Sequence, residues 1–290
     1  MYRSNDNSSG RRFYQMPRLA QRVLIFKIDG SPMSQEATTQ AFAPAVRLAR
    51  PDDLWRLAVI GVAAFINEDV FVYLYPDRWQ HVHDQIRSST EDLVEWYQKN
   101  DMSIMLIEAP YREDESKAVS TNMAYDGRPS PSSPAEGTMV PVAYIIWRWP
   151  SERIKIDITQ LLGESQMTDG DYAQFPKNVP QQPANSEHYA QYNRILEQIY
   201  YKHINDCDVE LYKLAVHPAY RRQRYGKALV KWGIELCETY NFSIGVDGVS
   251  KGRALYESLG FEALESWSLA GDMSSPNGLQ GCAMRWRKDA

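Results

Sequence analysis

The chain has 290 residues, 43% of them apolar, with 37 acidic and 32 basic side chains and a net charge of -5. That is enough apolar material for a full core, and the acidic balance argues against a general nucleic-acid binder with a basic face. No apolar run reaches the ~18 to 20 residues that span a bilayer, so a soluble protein with no membrane partner is expected.

The first 43 residues form an extension of their own. Over residues 1–27, Arg3, Arg11, Arg12, Arg18, Arg22 and Lys27 stand against one acid, Asp6. This reads as a solvated, partly flexible tail of a cytoplasmic protein, with a mitochondrial presequence as the other reading of an Arg-rich, acid-poor start. The remainder, 44–290, is expected to be one domain with an insertion at about 150–206.

Within that domain a short strand is expected at Val46 to Leu48. A helix then starts at Pro51, with Asp52 and Asp53 in its first turn, where acids suit the helix dipole. Leu54, Leu57, Ala58, Gly61 and Phe65 follow at helical spacing, and a second helical pattern covers roughly 71–99. Strands are expected at Met102 to Ala109 and Val140 to Trp149, joined by a turn-rich connection. Inside the insertion, "DITQLLGE" reads as a short helix and "FPKNVPQQPAN" as irregular chain. A helix follows with Ser186 as N-cap and a stripe of Tyr189, Tyr192, Leu196, Ile199 and Tyr200. Strand Val209 to Val216, helix Gly226 to Tyr240 and strand Phe242 to Val249 make a βαβ unit in a mixed sheet. A short helix "GRALYESLG" and a closing strand near "AMRWR" end the chain.

The three cysteines, Cys207, Cys237 and Cys282, have no CxxC spacing and read as buried thiols of a reducing compartment. His81 and His83 form a close pair without further ligand spacing, so no metal site is expected.

The most charged stretch is "LAVHPAYRRQRYGKALVKW", between a strand and a helix. A helix N-terminus offers unpaired N–H groups and the positive end of a dipole, which suits an anion. Gly226 leaves the backbone open to close approach, small Ala228 keeps the next turn clear, and Arg221, Arg222, Arg224 and Lys227 add positive charge. A polyphosphate fits this constellation; a solvated basic turn fits the local physics equally well. Neither GxxxxGK[ST] nor GxGxxG occurs, which argues against P-loop and Rossmann nucleotide sites.

Gln223, Arg224, Tyr225, Gly226, Lys227 and Ala228 match the Q/R-x-x-G-x-G/A signature, and Leu255, Tyr256, Gly260 and Phe261 match LYxxxGF. In this order and spacing they resemble the GNAT N-acetyltransferase superfamily, in a fungal-type form, over roughly residues 45–287. The resemblance implies an α/β (α+β) GNAT fold: a mixed, mostly antiparallel sheet with splayed strands, flanked by helices. It implies acetyl-CoA as cosubstrate, with the diphosphate on the Arg222 to Lys227 amides and the pantetheine along Leu214, Ala215 and Val216. Ser250 and Arg253 fall near the coenzyme. Tyr256 would protonate the leaving thiolate, and the Val216 N–H would meet the oxyanion. The base is left between Asp247, Glu210, ordered water and a group from the insertion, while His217 reads as structural. Where many members carry an asparagine this chain has Val249, which puts that cofactor contact in question.

The expected activity is acetyl transfer to the amine of a small molecule, with Tyr73, Trp79, Tyr189 and Tyr192 around the acceptor. A protein or peptide acceptor, or a non-catalytic acyl-CoA-binding protein, is the alternative. The expected assembly is a monomer or homodimer.

Overall fold

The computed structural model describes residues 44–119, 123–128, 132–149, 167–177, 179 and 185–288. The N-terminal extension, 1–43, and the "DITQLLGE" helix expected from the sequence therefore lie outside the described residues. The described residues fall in the compact unit Ala41–Ala290.

Seven strands form one sheet: β1 (Val46–Leu48), β2 (Met102–Pro110), β3 (Met139–Arg148), β4 (Val209–Val216), β5 (Ile244–Val249), β6 (Glu262–Leu269) and β7 (Leu279–Trp286). Their order is β1-β2-β3-β4-β5-β7-β6, and every neighbouring pair is antiparallel except β4 with β5. The helices are α1 (Leu54–Phe65), α2 (Asp69–Leu74), α3 (Val82–Tyr97), α4 (Asp169–Ala173), α5 (Ser186–Ile199), α6 (Tyr225–Tyr240) and α7 (Ser250–Glu257). This is the mixed, mostly antiparallel and helix-flanked sheet expected from the sequence.

Alternation along β3 divides the core. Ile145 and Trp147 face α6, packing with Leu229, Val230 and Ile234. Tyr144 and Ile146 face the other way, against Leu54 and Leu57 of α1 and Leu93 of α3. Burial on both faces explains why β3 is apolar throughout rather than alternating.

A third cluster joins Tyr73 and Leu74 of α2 to Ile199, Ile204, Trp267 and Leu279. The insertion helix α5 is stitched into it. Asn185 donates its backbone N–H to the Leu74 carbonyl at 2.9 Å, and the His188 and Tyr73 rings stack 3.9 Å apart.

Several boundaries differ from the sequence expectation. The second helical pattern is broken into α2, a 3-10 turn at Arg78–Gln80 and α3, because Pro76 has no N–H to continue a helix. Asn185, not Ser186, caps α5, its side chain accepting from His188 N at 3.1 Å. A π turn, Tyr200–Ile204, ends that helical run. Strand β6 has no counterpart in the sequence reading.

Candidate active site

Two neighbouring strands part company at the centre of the sheet. β4 pairs with β5 only at Val209↔Ile244 and Glu210↔Gly245. Against β3, Trp147 pairs with Leu211 and Ile146 with Lys213, so Tyr212 is an extra residue, a bulge that re-aims the strand. Beyond it, His217 N donates to Val142 O at 2.9 Å. The alternation of an antiparallel ladder then turns the N–H and C=O of Val216 and Leu214 away from β3, toward the side that β5 has left.

The basic loop closes over this open edge. A 3-10 turn, Pro218–Tyr220, is capped by His217, whose Nδ1 accepts from Ala219 N at 3.4 Å. Burial, helped by the charges of Arg56 and Arg221, pushes His217 down to about 3, so it stands there neutral as an acceptor. Arg222 and Arg224 hold left-handed backbone, φ 67° and 65°, a conformation costly to a residue with a Cβ. Turns of this kind gather amide N–H groups into an anion-binding face at the start of the following helix. A Cβ placed on Gly226 would stand 3.5 Å from Val216 and 3.7 Å from Leu214 and Leu255. The first turn of α6 therefore sits directly beside the unpaired β4 edge, with Lys227 and Ala228 half-buried behind it.

The cations of the loop divide into two groups. Arg222 and Arg224 are exposed and engage no acid among the described residues. Arg221 donates instead to the Ala64 carbonyl at 2.7 Å and lies 3.5 Å from Glu68, which also holds Lys251 at 2.8 Å. Arg253 donates to Glu257 at 2.7 Å and reaches Ser266 at 3.4 Å. Gln223 accepts from the Tyr225 hydroxyl at 3.0 Å, and Ser250 is the first residue of α7.

A network that the sequence reading missed anchors the loop. Tyr220 donates to Glu115 at 3.1 Å, and Glu115 receives two 2.8 Å bonds from Arg56, all in the interior. An arginine in the otherwise apolar "LWRLAVIGVAAF" was its signal.

Beside the divergence lies a cleft of about 530 Å³ whose acids are Glu197, Glu210 and Asp247 and whose cations are Arg148 and Lys213. Trp96, Tyr192, Tyr200 and Tyr212 supply aromatic walls. Asp247 accepts from Trp267 Nε1 at 2.8 Å; burial raises its carboxyl to about 6, with the indole bond opposing. Glu210 is also raised by burial, but Arg148 at 3.5 Å pulls it back. Tyr256 is 6% exposed, with its ring against Phe261. Burial, and then the charge of Asp247, hold its hydroxyl well above the ordinary range and so protonated.

Of the four aromatics expected around an acceptor, only Tyr192 lines this cleft. Tyr73 is fully buried in the third cluster, its hydroxyl donating to Gln191. Trp79 and Tyr189 are exposed elsewhere, at 36% and 43%. Trp96, Arg148, Tyr212, Lys213 and Trp267 were not singled out from the sequence. Each of the three cysteines is buried and unpaired, and among the described residues no cluster of three metal-ligating side chains occurs.

Residues 184–263 match the family model of the acetyltransferase (GNAT) domain. That segment holds β4, the basic loop, α6, β5 and α7, and over it the chain is similar to the GNAT acetyltransferase domain. A curated acetyltransferase of Stachybotrys chartarum is 38% identical over 58 residues, a match spanning 20% of this chain and 24% of that one. Among solved structures, a histone acetyltransferase HPA2-related protein of Corynebacterium glutamicum is 17% identical, with a TM-score of 0.44, covering 84% of this chain and 96% of its own. Arabidopsis thaliana NAA60, solved with acetyl-CoA, is 12% identical with a TM-score of 0.41, covering 85% of this chain and 99% of its own. At such scores nothing about chemistry passes from those structures to this one.

Proposed function

We propose that this protein transfers an acetyl group from acetyl-CoA to the amine of a small molecule, by direct attack within one ternary complex. The observation that carries the reading is the meeting of three features at one strand divergence: the open β4 edge, the amino end of α6 and an acidic, aromatic-walled cleft. A diphosphate suits the loop amides with Arg222, Arg224 and Lys227, and an amide-bearing arm suits the backbone groups of Leu214 and Val216.

The acceptor amine must lose a proton before it attacks. Asp247, with a carboxyl near 6 and no cation acting on it, is a base matched to neutral solution, whereas Glu210 is already engaged by Arg148. The Val216 N–H would meet the oxygen on which charge develops. Tyr256, held protonated by burial, would supply the proton that the departing thiolate takes. A cleft of about 530 Å³ has the size of small-molecule sites, which favours a small acceptor over a protein surface.

A broad amine panel assayed by mass spectrometry tests the proposal. Acetyl-CoA-dependent mass gain on small amines, lost in Asp247→Asn, is expected; tight coenzyme binding with no transfer to any amine would contradict it.

A further inference from the structure

Lys213, on β4 between Tyr212 and Leu214, lines the same cleft as Asp247. Its ammonium lies 5.5 Å from the centre of the Phe65 ring and 5.3 Å from that of Trp96. Rings of this kind steady a cation but offer no lone pair for its three N–H groups. Among the described residues Lys213 donates no hydrogen bond and forms no ion pair. The other cation of the cleft, Arg148, is held by Glu210 and Asp101. Bringing an ammonium into apolar walls without an acceptor is costly, and a methionine or leucine would fill the same space without that cost. The cost shows in its titration: burial lowers it to about 8, while Asp92 on α3, attracting it only through space, opposes the shift.

We infer that Lys213 anchors a carboxylate on the acceptor, so that the substrate class is amines that also carry an acid group. The inference rests on the N-acetyltransferase reading above. The acceptor then spans the cleft with its amine toward Asp247 and its carboxylate on the Lys213 ammonium, shielded by Phe65 and Trp96. The aromatic walls between them, Tyr192 and Tyr212 among them, accommodate an apolar or aromatic body.

The test pairs amino acids with their carboxamides and their decarboxylated amines. Each is measured against the parent protein, Lys213→Met and Lys213→Arg, by calorimetric binding and by initial rates with acetyl-CoA. Expected is a preference of about tenfold or more for the carboxylate member in the parent, from one charge-assisted hydrogen bond in a partly dry site. That preference disappears in Lys213→Met through weaker binding and higher KM, and is partly retained in Lys213→Arg. Equal use of all three members by the parent, or a preference surviving in Lys213→Met, overturns the inference. Binding is read without turnover, so a carboxylate preference seen without acetyl transfer overturns the catalytic reading and leaves this anchor standing.

Discussion

Trp267 on the edge strand β6 reaches across β7 to Asp247 on β5, its indole N–H donating at 2.8 Å. The indole can lie flat over β7 because Gly281 is beneath it, where a Cβ would stand 2.2 Å from the ring. A residue on the outermost strand thereby tunes the acid proposed as the base.

Trp267→Phe removes the one contact that lowers the Asp247 carboxyl, so that group titrates higher. The acidic limb of kcat/KM, expected near pH 6 in the parent, moves to higher pH in the variant. A limb that stays in place assigns the ionisation to another group.

Asp247→Asn separates function from stability. The folded carboxyl sits near 6 against an ordinary value of 3.8, so the folded state binds the proton more tightly than the unfolded state. The stability associated with that protonation is present below about pH 4 and is lost as pH rises through 6. The asparagine variant is therefore expected to exceed the parent by roughly 1 to 3 kcal/mol at pH 8 and to match it near pH 3. Turnover should fall by about 10²-fold or more. Denaturant titrations at the two pH values, read with initial rates, check both parts.

Tyr256→Phe keeps the ring against Phe261 and removes only the hydroxyl. If that proton goes to the departing thiolate, kcat falls by about 10²-fold or more while the affinity for acetyl-CoA is unchanged. Weaker coenzyme binding with kcat intact would make the residue a packing element instead.

Glu115→Ala leaves Arg56 buried without its carboxylate and Tyr220 without its acceptor. With side chains only 3% and 5% exposed, the loss is expected to be about 3 to 5 kcal/mol in chemical denaturation. Acetyl-CoA affinity should fall with it, because Tyr220 secures the start of the basic loop.

What the sequence made legible was local. The βαβ unit, the basic turn before Gly226 and the LYxxxGF tyrosine each depend on residues close together in the chain, and the strands and helices around them lie within a few residues of their expected places. Strand β6 escaped because an edge strand is mostly exposed: Glu262 and Glu265 stand where alternation would need apolar residues. The Arg56–Glu115 pair and the cage around Lys213 join distant segments, and the first announced itself only as Arg56 inside the apolar run of α1. Tyr73 looked like a pocket residue because an aromatic in a helical pattern does not reveal which side faces a neighbouring helix. Asp247 and Glu210 were indistinguishable until the structure showed Arg148 on one and an indole on the other.

The most direct test is calorimetric titration of acetyl-CoA into the parent, Gly226→Ala and Gly226→Glu. The alanine Cβ meets its nearest neighbours at 3.5 to 3.7 Å, ordinary contact, so that variant controls for folding. Gly226→Glu puts an anion at the amino end of α6, which does not oppose the helix but does oppose a diphosphate. Expected is binding by the parent and at least a tenfold loss in Gly226→Glu, with thermal stability preserved in both variants. Coenzyme binding unchanged by the glutamate, or absent from the parent, would contradict the placement of acetyl-CoA on this loop.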